Sequence, residues 1–211
     1  LFTYKPSCIS PHPIYDHFGE ALPTSDARKL LNLQENDKVI LFFGFVRAYK
    51  GLDLLIEAMT DSAIQAAGIK LVIAGEFYES PTPYLDQIKA LGLSDCISVY
   101  NEYIGERDVK LYVSAADFII QPYRNATQSG VSQIAYHFDL PMIITNVGGL
   151  SELVPHGEAG WVCEPTPQAL AEAIGAMYTD NRLASMRSNI QVLKQQFSWP
   201  SMVGALEAVT R

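Results

Sequence analysis

The sequence predicts a doubly wound α/β fold, a parallel sheet of about six strands with helices on both faces. Two observations predict it. Short unbroken apolar runs recur along the chain, as expected of strands buried on both faces. Between them lie amphipathic segments of helical period, and parallel neighbours need such crossovers, which are right-handed. With 211 residues, 48% hydrophobic and 18% charged, the chain reads as one domain with a substantial core rather than a disordered tail.

Residues 1–36 open with Lys5-Pro6 and Ser10-Pro11-His12-Pro13, where each proline biases its predecessor to extended backbone. They read as a linker followed by a lead-in helix at Ser25–Leu31. Lys38–Gly44 is the first strand, and Leu52, Leu55, Ile56 and Met59 mark one buried helical face behind it. Lys70–Gly75 is the second strand, Tyr84–Leu91 a helix ending at Gly92, and Cys96–Tyr100 the third strand. Glu106–Ala115 is helical, Asp117–Ile120 the fourth strand, Gly130–Phe138 a helix and Pro141–Thr145 the fifth strand. Trp161–Cys163 closes the set. Gln168–Tyr178, Asn181–Phe197 and Trp199–Val209 are helices with no further strand. The core domain is drawn at 37–196 and a C-terminal helix at 197–211.

Composition narrows the function. Fifteen Lys and Arg against 23 Asp and Glu give a net charge of -8, which disfavours a nucleic-acid surface while leaving room for a local basic pocket. The longest apolar stretch, Val39 to Val46, is well short of the ~20 residues a membrane helix needs. Cys8, Cys96 and Cys163 have no metal or redox spacing and read as reduced thiols, hence a cytoplasmic expectation. His12, His17, His137 and His156 are scattered, so no metal is expected. The sequence has no P-loop and no G-x-S-x-G elbow, and its first strand is not followed by G-x-G-x-x-G.

In an open α/β sheet the ligand lies beyond the carboxyl ends of the strands. After the first strand comes Gly44-Phe45-Val46-Arg47-Ala48-Tyr49-Lys50-Gly51, a glycine-bounded loop with two cations suited to a diphosphate. The fourth strand runs into Thr127-Gln128-Ser129-Gly130-Val131, where small residues open a helix whose free amides suit an anion and where Thr127 or Ser129 is the cap. The fifth strand runs into Gly148-Gly149 and Glu152, a carboxylate that either accepts sugar or ribose hydroxyls or interacts with its own helix dipole. His156–Gly160 reads as a plain turn.

The order of these pieces resembles the carboxyl-terminal, donor-binding domain of family 4 retaining glycosyltransferases of the GT-B fold. Its carriers are the Gly44–Gly51 loop with its Lys-Gly end, the Leu71–Gly75 strand, Ser114-Ala115-Ala116-Asp117, Pro141–Thr145 with Val147-Gly148-Gly149 and Glu152, and Gly157–Val162. The Pro-rich start resembles the family's interdomain linker, and Phe197-Ser198-Trp199 the start of its terminal helix. The resemblance implies a Rossmann-like half of a GT-B enzyme that binds a nucleoside-diphosphate sugar without a cofactor. Arg47 and Lys50 would be the catalytic cations. Gly44, Tyr103, Thr127, Gln128, Ser129, Gly130, Val131, Gly148, Gly149 and Glu152 would hold the donor, Tyr103 at the base.

Two departures stand out. Phe45 occupies the place of the family's phosphate-binding arginine, with Arg47 two residues on. Aligned on Gly130, the family's two loop and helix glutamates fall on Thr127 and Ala135, which leaves the sugar and ribose contacts to Gln128, Ser129 or Gln133, or removes them. The expected partners are a nucleotide sugar and an acceptor-binding domain outside this chain, with any peripheral contact to the inner membrane face made through that other half. Leu1 in place of Met agrees with a fragment, expected to be inactive alone. The competing readings are a non-catalytic nucleotide-sugar module, a GT-B-like sugar-nucleotide epimerase and an unrelated Rossmann-type cofactor domain.

Overall fold

The computed structural model describes residues 12–15 and 17–210. The prolines up to Pro11 and Cys8 fall outside them. Six strands form one parallel sheet: β1 (Lys38–Phe43), β2 (Ile69–Ala74), β3 (Ile97–Tyr100), β4 (Phe118–Gln121), β5 (Met142–Thr145) and β6 (Gly160–Cys163). Their order is β3-β2-β1-β4-β5-β6, with β1 parallel to both β2 and β4. The chain winds outward in both directions from β1 and β4, so the topological switch point lies between those strands. The doubly wound sheet expected from the sequence is therefore the observed one.

The central strands are almost entirely apolar because both of their faces are covered. Val39, Leu41 and Phe43 pack with α1 (Thr24–Leu30), α5 (Glu106–Ala115) and α6 (Gly130–His137). Ile40 and Phe42 point the other way, to α2 (Leu52–Ala58), α3 (Ser62–Ala66), α4 (Thr82–Ala90) and α8 (Pro167–Met177). The short α7 (Leu150–Leu153) follows β5, and α9 (Arg182–Leu193) and α10 (Trp199–Thr210) finish the chain. Met186 and Ile190 of α9 reach the two different cores. Among the described residues no helix is long and apolar enough to cross a membrane.

A polar network fastens the amino ends of the strands. Asp117 accepts hydrogen bonds from Arg28 Nη2 at 2.9 Å, from the Val39 amide at 2.8 Å and from Tyr178 Oη at 3.0 Å. Buried Arg28 also donates from Nε to the Ala115 carbonyl at 3.0 Å, and Arg187 donates to the Asp117 carbonyl at 3.1 Å. One carboxylate thus ties α1, β1, β4 and α8 together. A buried charge is tolerated only when paired in this way.

Candidate functional site

The loops after β1 and β4 meet above the switch point. Past Gly44 the first loop keeps the sheet going for one more step, since the Val46 amide donates to the Glu76 carbonyl at 2.9 Å and the Tyr78 amide to the Val46 carbonyl at 3.0 Å. That pairing turns the flanking residues outward. Phe45 is exposed, and the Arg47 guanidinium lies 4.1 Å from the centre of the Tyr78 ring. A single 3-10 turn, Ala48–Lys50, then carries Lys50 back inward.

Lys50 is 8% exposed, and its Nζ lies 5.5 Å from the Tyr123 ring centre and 3.5 Å from where a Gly44 side chain would begin. Burial, and then the positive charge of Arg47, lower its pKa from 10.5 to about 8. No ion pair is formed by Lys50 among the described residues. A desolvated ammonium of this kind is poised to receive an anion. Gly51, which ends the turn at φ +67°, has its Cβ position only 2.0 Å from the Pro122 carbonyl oxygen. The two loops pack as closely as backbone allows, and only glycine fits there.

The β4 loop is held from below. Gln121 Nε2 donates to Ser132 Oγ at 3.1 Å, and Thr145 Oγ1 donates to the Tyr123 carbonyl at 2.5 Å. Ser129 caps α6, its Oγ accepting from the Val131 amide at 3.3 Å and lying 3.3 Å from Tyr123 Oη. Of the two caps considered from sequence, Ser129 is the one used. Burial pushes the Tyr123 hydroxyl pKa up, so at neutral pH it stays a neutral hydrogen-bonding group.

Between these loops lies a cavity of about 290 Å³, whose lining brings together Gly44, Lys50, Gln128, Ser129, Gly130 and Val131. A neighbouring cavity of about 260 Å³ takes in Gly44, Phe45 and Tyr103, with Glu76 and Glu106 also in its lining. Arg47, Thr127, Gly148, Gly149 and Glu152 lie outside both linings. Gly148 and Gly149 instead pack on the carbonyl oxygens of Ala126 and Thr127, where side chains would not fit. They brace the β4 loop from behind. Glu152 is exposed on α7.

The sequence reading missed several residues that line these cavities. Tyr15 and Phe18, from the segment read as linker, wall the Lys50 cavity, and His17 joins Phe18 in the neighbouring one. Ile134 lines both cavities, whereas Ala135, the position reached by aligning on Gly130, is fully buried in the core. Helical period would have found Ile134, because it lies one turn after Gly130 on the same face.

A buried cation and a capped helix N-terminus converging at a parallel switch point define a Rossmann-like domain whose strand ends suit a phosphate-bearing ligand. Within that class the chain belongs to the group 1 glycosyltransferases: the family model described as "Glycosyl transferases group 1" matches residues 37–180. The chain is similar to the D-inositol 3-phosphate glycosyltransferase of Gordonia bronchialis, at 27% identity over 200 residues that cover 87% of this chain and 42% of that enzyme. It therefore spans less than half of that relative's length. In fold it is similar to Anabaena Alr3699/HepE, solved in complex with UDP-glucose, with TM-score 0.78, 21% identity and coverage of 93% of this chain and 54% of that one. It is also similar to the C-terminal domain of a glycosyl transferase group 1 family protein (LpcC) from Francisella tularensis, with TM-score 0.74, 18% identity and coverage of 88% and 99%. The sheet is thus the Rossmann-like domain of the GT-B architecture.

Proposed function

We propose that this chain is the donor half of a retaining glycosyltransferase and binds a nucleoside-diphosphate sugar between the β1 and β4 loops. The observation that carries this reading is Lys50, a buried ammonium that shares the 290 Å³ cavity with the N-terminus of α6. The UDP-glucose held by the HepE neighbour supports it. The diphosphate would lie against Lys50 Nζ and the start of α6, and Tyr103 and Phe45 would flank the base.

When the bond from the sugar's anomeric carbon to the diphosphate oxygen breaks, negative charge builds on that oxygen. Lys50 and the α6 dipole are fixed in place to stabilise it, and removing one such group costs about 3 kcal/mol of barrier. Arg47 acts at longer range, through the field it adds beside Lys50. The acceptor would be supplied by the other half of a protein as long as the relatives, and transfer would need both halves.

Calorimetric titration with UDP, GDP and their sugar conjugates tests the reading. One of these should bind, and Lys50→Ala should weaken it at least tenfold. No binding by any nucleotide, or equal binding by the variant, overturns the assignment. A second reading, a non-catalytic nucleotide-sugar module, is favoured by Thr127 and Ala135 at the two places where the family carries glutamates, Ala135 being fully buried. Sugar transfer by the full-length protein that is lost in Lys50→Ala would decide for the enzyme.

A further inference from the structure

A third cavity, of about 510 Å³, is larger than either of the two at the donor site and contains none of the residues assigned to the nucleotide sugar. It opens beside the Ala48–Lys50 turn, against Asp53 of α2, residues of α4 and Arg124 of the β4 loop. Its size falls within the ~300–1,000 Å³ of small-molecule sites. Tyr49 lines both this cavity and the Lys50 cavity, and no other residue does.

Its apolar walls are Pro83 and the rings of Tyr49 and Tyr84. Tyr49 stands edge-on to Tyr123 with ring centres 6.0 Å apart, and Tyr84 leans on Phe77 at 5.6 Å, so neighbours hold both rings in place. The polar groups beside them have hydrogen-bonding capacity to spare. Arg124 Nη1 serves Asp53 and the Ala48 carbonyl and Nη2 serves Asp53, which leaves its Nε–H and the second Nη2–H unused. Gln87 donates from Nε2 to the Asp53 carbonyl at 3.0 Å, and its Oε1 is left to accept. Charge narrows the ligand further. Burial, and then the carboxylates of Asp53 and Glu79, raise the Tyr84 pKa, so an anion is disfavoured there, while the Arg124 guanidinium turns away a cation.

We propose that this cavity is a carbohydrate-binding site, distinct from the donor site, that takes a neutral pyranose against Tyr49 and Tyr84 with its hydroxyls on Gln87, Arg124 and Asp53. A pyranose has the matching pattern. Its C–H faces pack on the negative face of an aromatic ring. Its neighbouring hydroxyls, each both donor and acceptor, suit a guanidinium, a carboxylate and an amide oxygen set side by side. A flat nucleobase would use the rings and leave most of these polar groups unmatched. The site does not depend on the nucleotide-sugar reading, because the residues that would hold the pyranose are not those assigned to the donor.

The test is heteronuclear NMR of the isotope-labelled chain, titrated with methyl glucoside, methyl mannoside, methyl galactoside and maltose, alone and with saturating UDP. Glucuronate, choline and adenosine are the comparison ligands. The expected result is that a neutral sugar shifts the Tyr49, Tyr84, Gln87 and Arg124 signals saturably, with a Kd on the order of 1 mM, and that UDP does not displace it. Tyr84→Phe, which keeps the ring against Phe77, and Gln87→Leu should each weaken the sugar about fivefold, the loss of roughly one hydrogen bond. Melting curves establish that both variants are folded. The proposal is overturned if no neutral sugar gives a saturable shift, if UDP displaces the sugar or the shifts centre on Gly44, Ser129 and Gly130, if glucuronate, choline or adenosine binds more tightly, or if both variants bind as the parent does. Sugar binding without any UDP binding removes the donor-domain reading and leaves this site standing.

Discussion

Arg124 grips Asp53 with both terminal nitrogens of its guanidinium, Nη1 to Oδ1 at 2.6 Å and Nη2 to Oδ2 at 2.5 Å. The Arg124 amide donates to the Tyr49 carbonyl at 2.7 Å, and Nη1 also reaches the Ala48 carbonyl at 3.3 Å. Arg124 belongs to the β4 loop, Asp53 to the first turn of α2, and Ala48 and Tyr49 to the turn that delivers Lys50. The pair is a clamp that fixes where that ammonium sits.

Loosening the clamp should therefore weaken nucleotide binding more than it weakens the fold. The two side chains are 42% and 40% exposed, and pairs so wet contribute at most about 1 kcal/mol to stability. Arg124→Ala should melt within a few degrees of the parent while nucleotide affinity falls severalfold. Arg124→Lys should recover little of that affinity, because an ammonium cannot make the two-pronged contact. Calorimetry paired with melting curves checks both.

Nucleotide affinity should fall as pH rises above about 8. The Lys50 pKa is lowered to about 8 by burial and by Arg47, so at higher pH the empty site is mostly neutral and a proton must be taken up on binding. Affinity then falls by up to about tenfold per pH unit until the bound-state pKa is passed. Lys50→Arg, whose charge persists, should show a flat profile over pH 7 to 9 if it folds around the larger group. The stability linkage has the opposite sense. The unfolded lysine holds its proton up to 10.5 and the folded one only to about 8, so this group's contribution to stability is unfavourable at pH 7 and improves as pH rises between those values.

Gly51→Ala should be strongly destabilising. A left-handed backbone costs a non-glycine residue about 1–2 kcal/mol, and here the added methyl would also sit 2.0 Å from the Pro122 carbonyl oxygen. A total of about 3 kcal/mol or more, read from denaturant unfolding, is expected. Whatever folds should bind nucleotide poorly, since the Lys50 turn must move.

Asp117→Ala should separate stability from binding in the other direction. It leaves buried Arg28 without its carboxylate and the Val39 amide and Tyr178 hydroxyl without an acceptor. Breaking a buried pair in this way costs about 3–5 kcal/mol. The surviving folded protein should bind nucleotide as the parent does, because this carboxylate lies at the opposite end of the strands from Lys50. Denaturant melts and calorimetry at low temperature measure the two quantities.

The sheet was legible because both faces of its central strands are covered, so runs such as Val39–Phe43 and Met142–Ile144 are apolar and stand out between amphipathic helices. Helix α3 was not. It is five residues long and rests on the Asp61 cap, too short for a period to show. In the site, Lys50, Ser129 and Gly130 were readable because a lysine before a glycine and small residues before a helix mark strand-end loops. Arg47 was read beside Lys50 as a second catalytic cation, two residues off the family's arginine position, but the extra strand pairing at Val46 turns it out to Tyr78, and that pairing depends on a second loop distant in sequence. Tyr15 and Phe18 were hidden for the same reason, since a proline-rich lead-in says nothing about what it will lie against.

The polar groups of this domain fall at two ends of one sheet, with Asp117 and its partners at the amino ends of the strands and Lys50, Ser129 and Gln133 beyond the carboxyl ends. The Asp117 anchor lies at the end of the strands away from the Lys50 cavity. Under the donor-domain proposal, a 122–134 stretch transplanted from a relative should alter ligand choice while the Asp117 anchor keeps the sheet assembled.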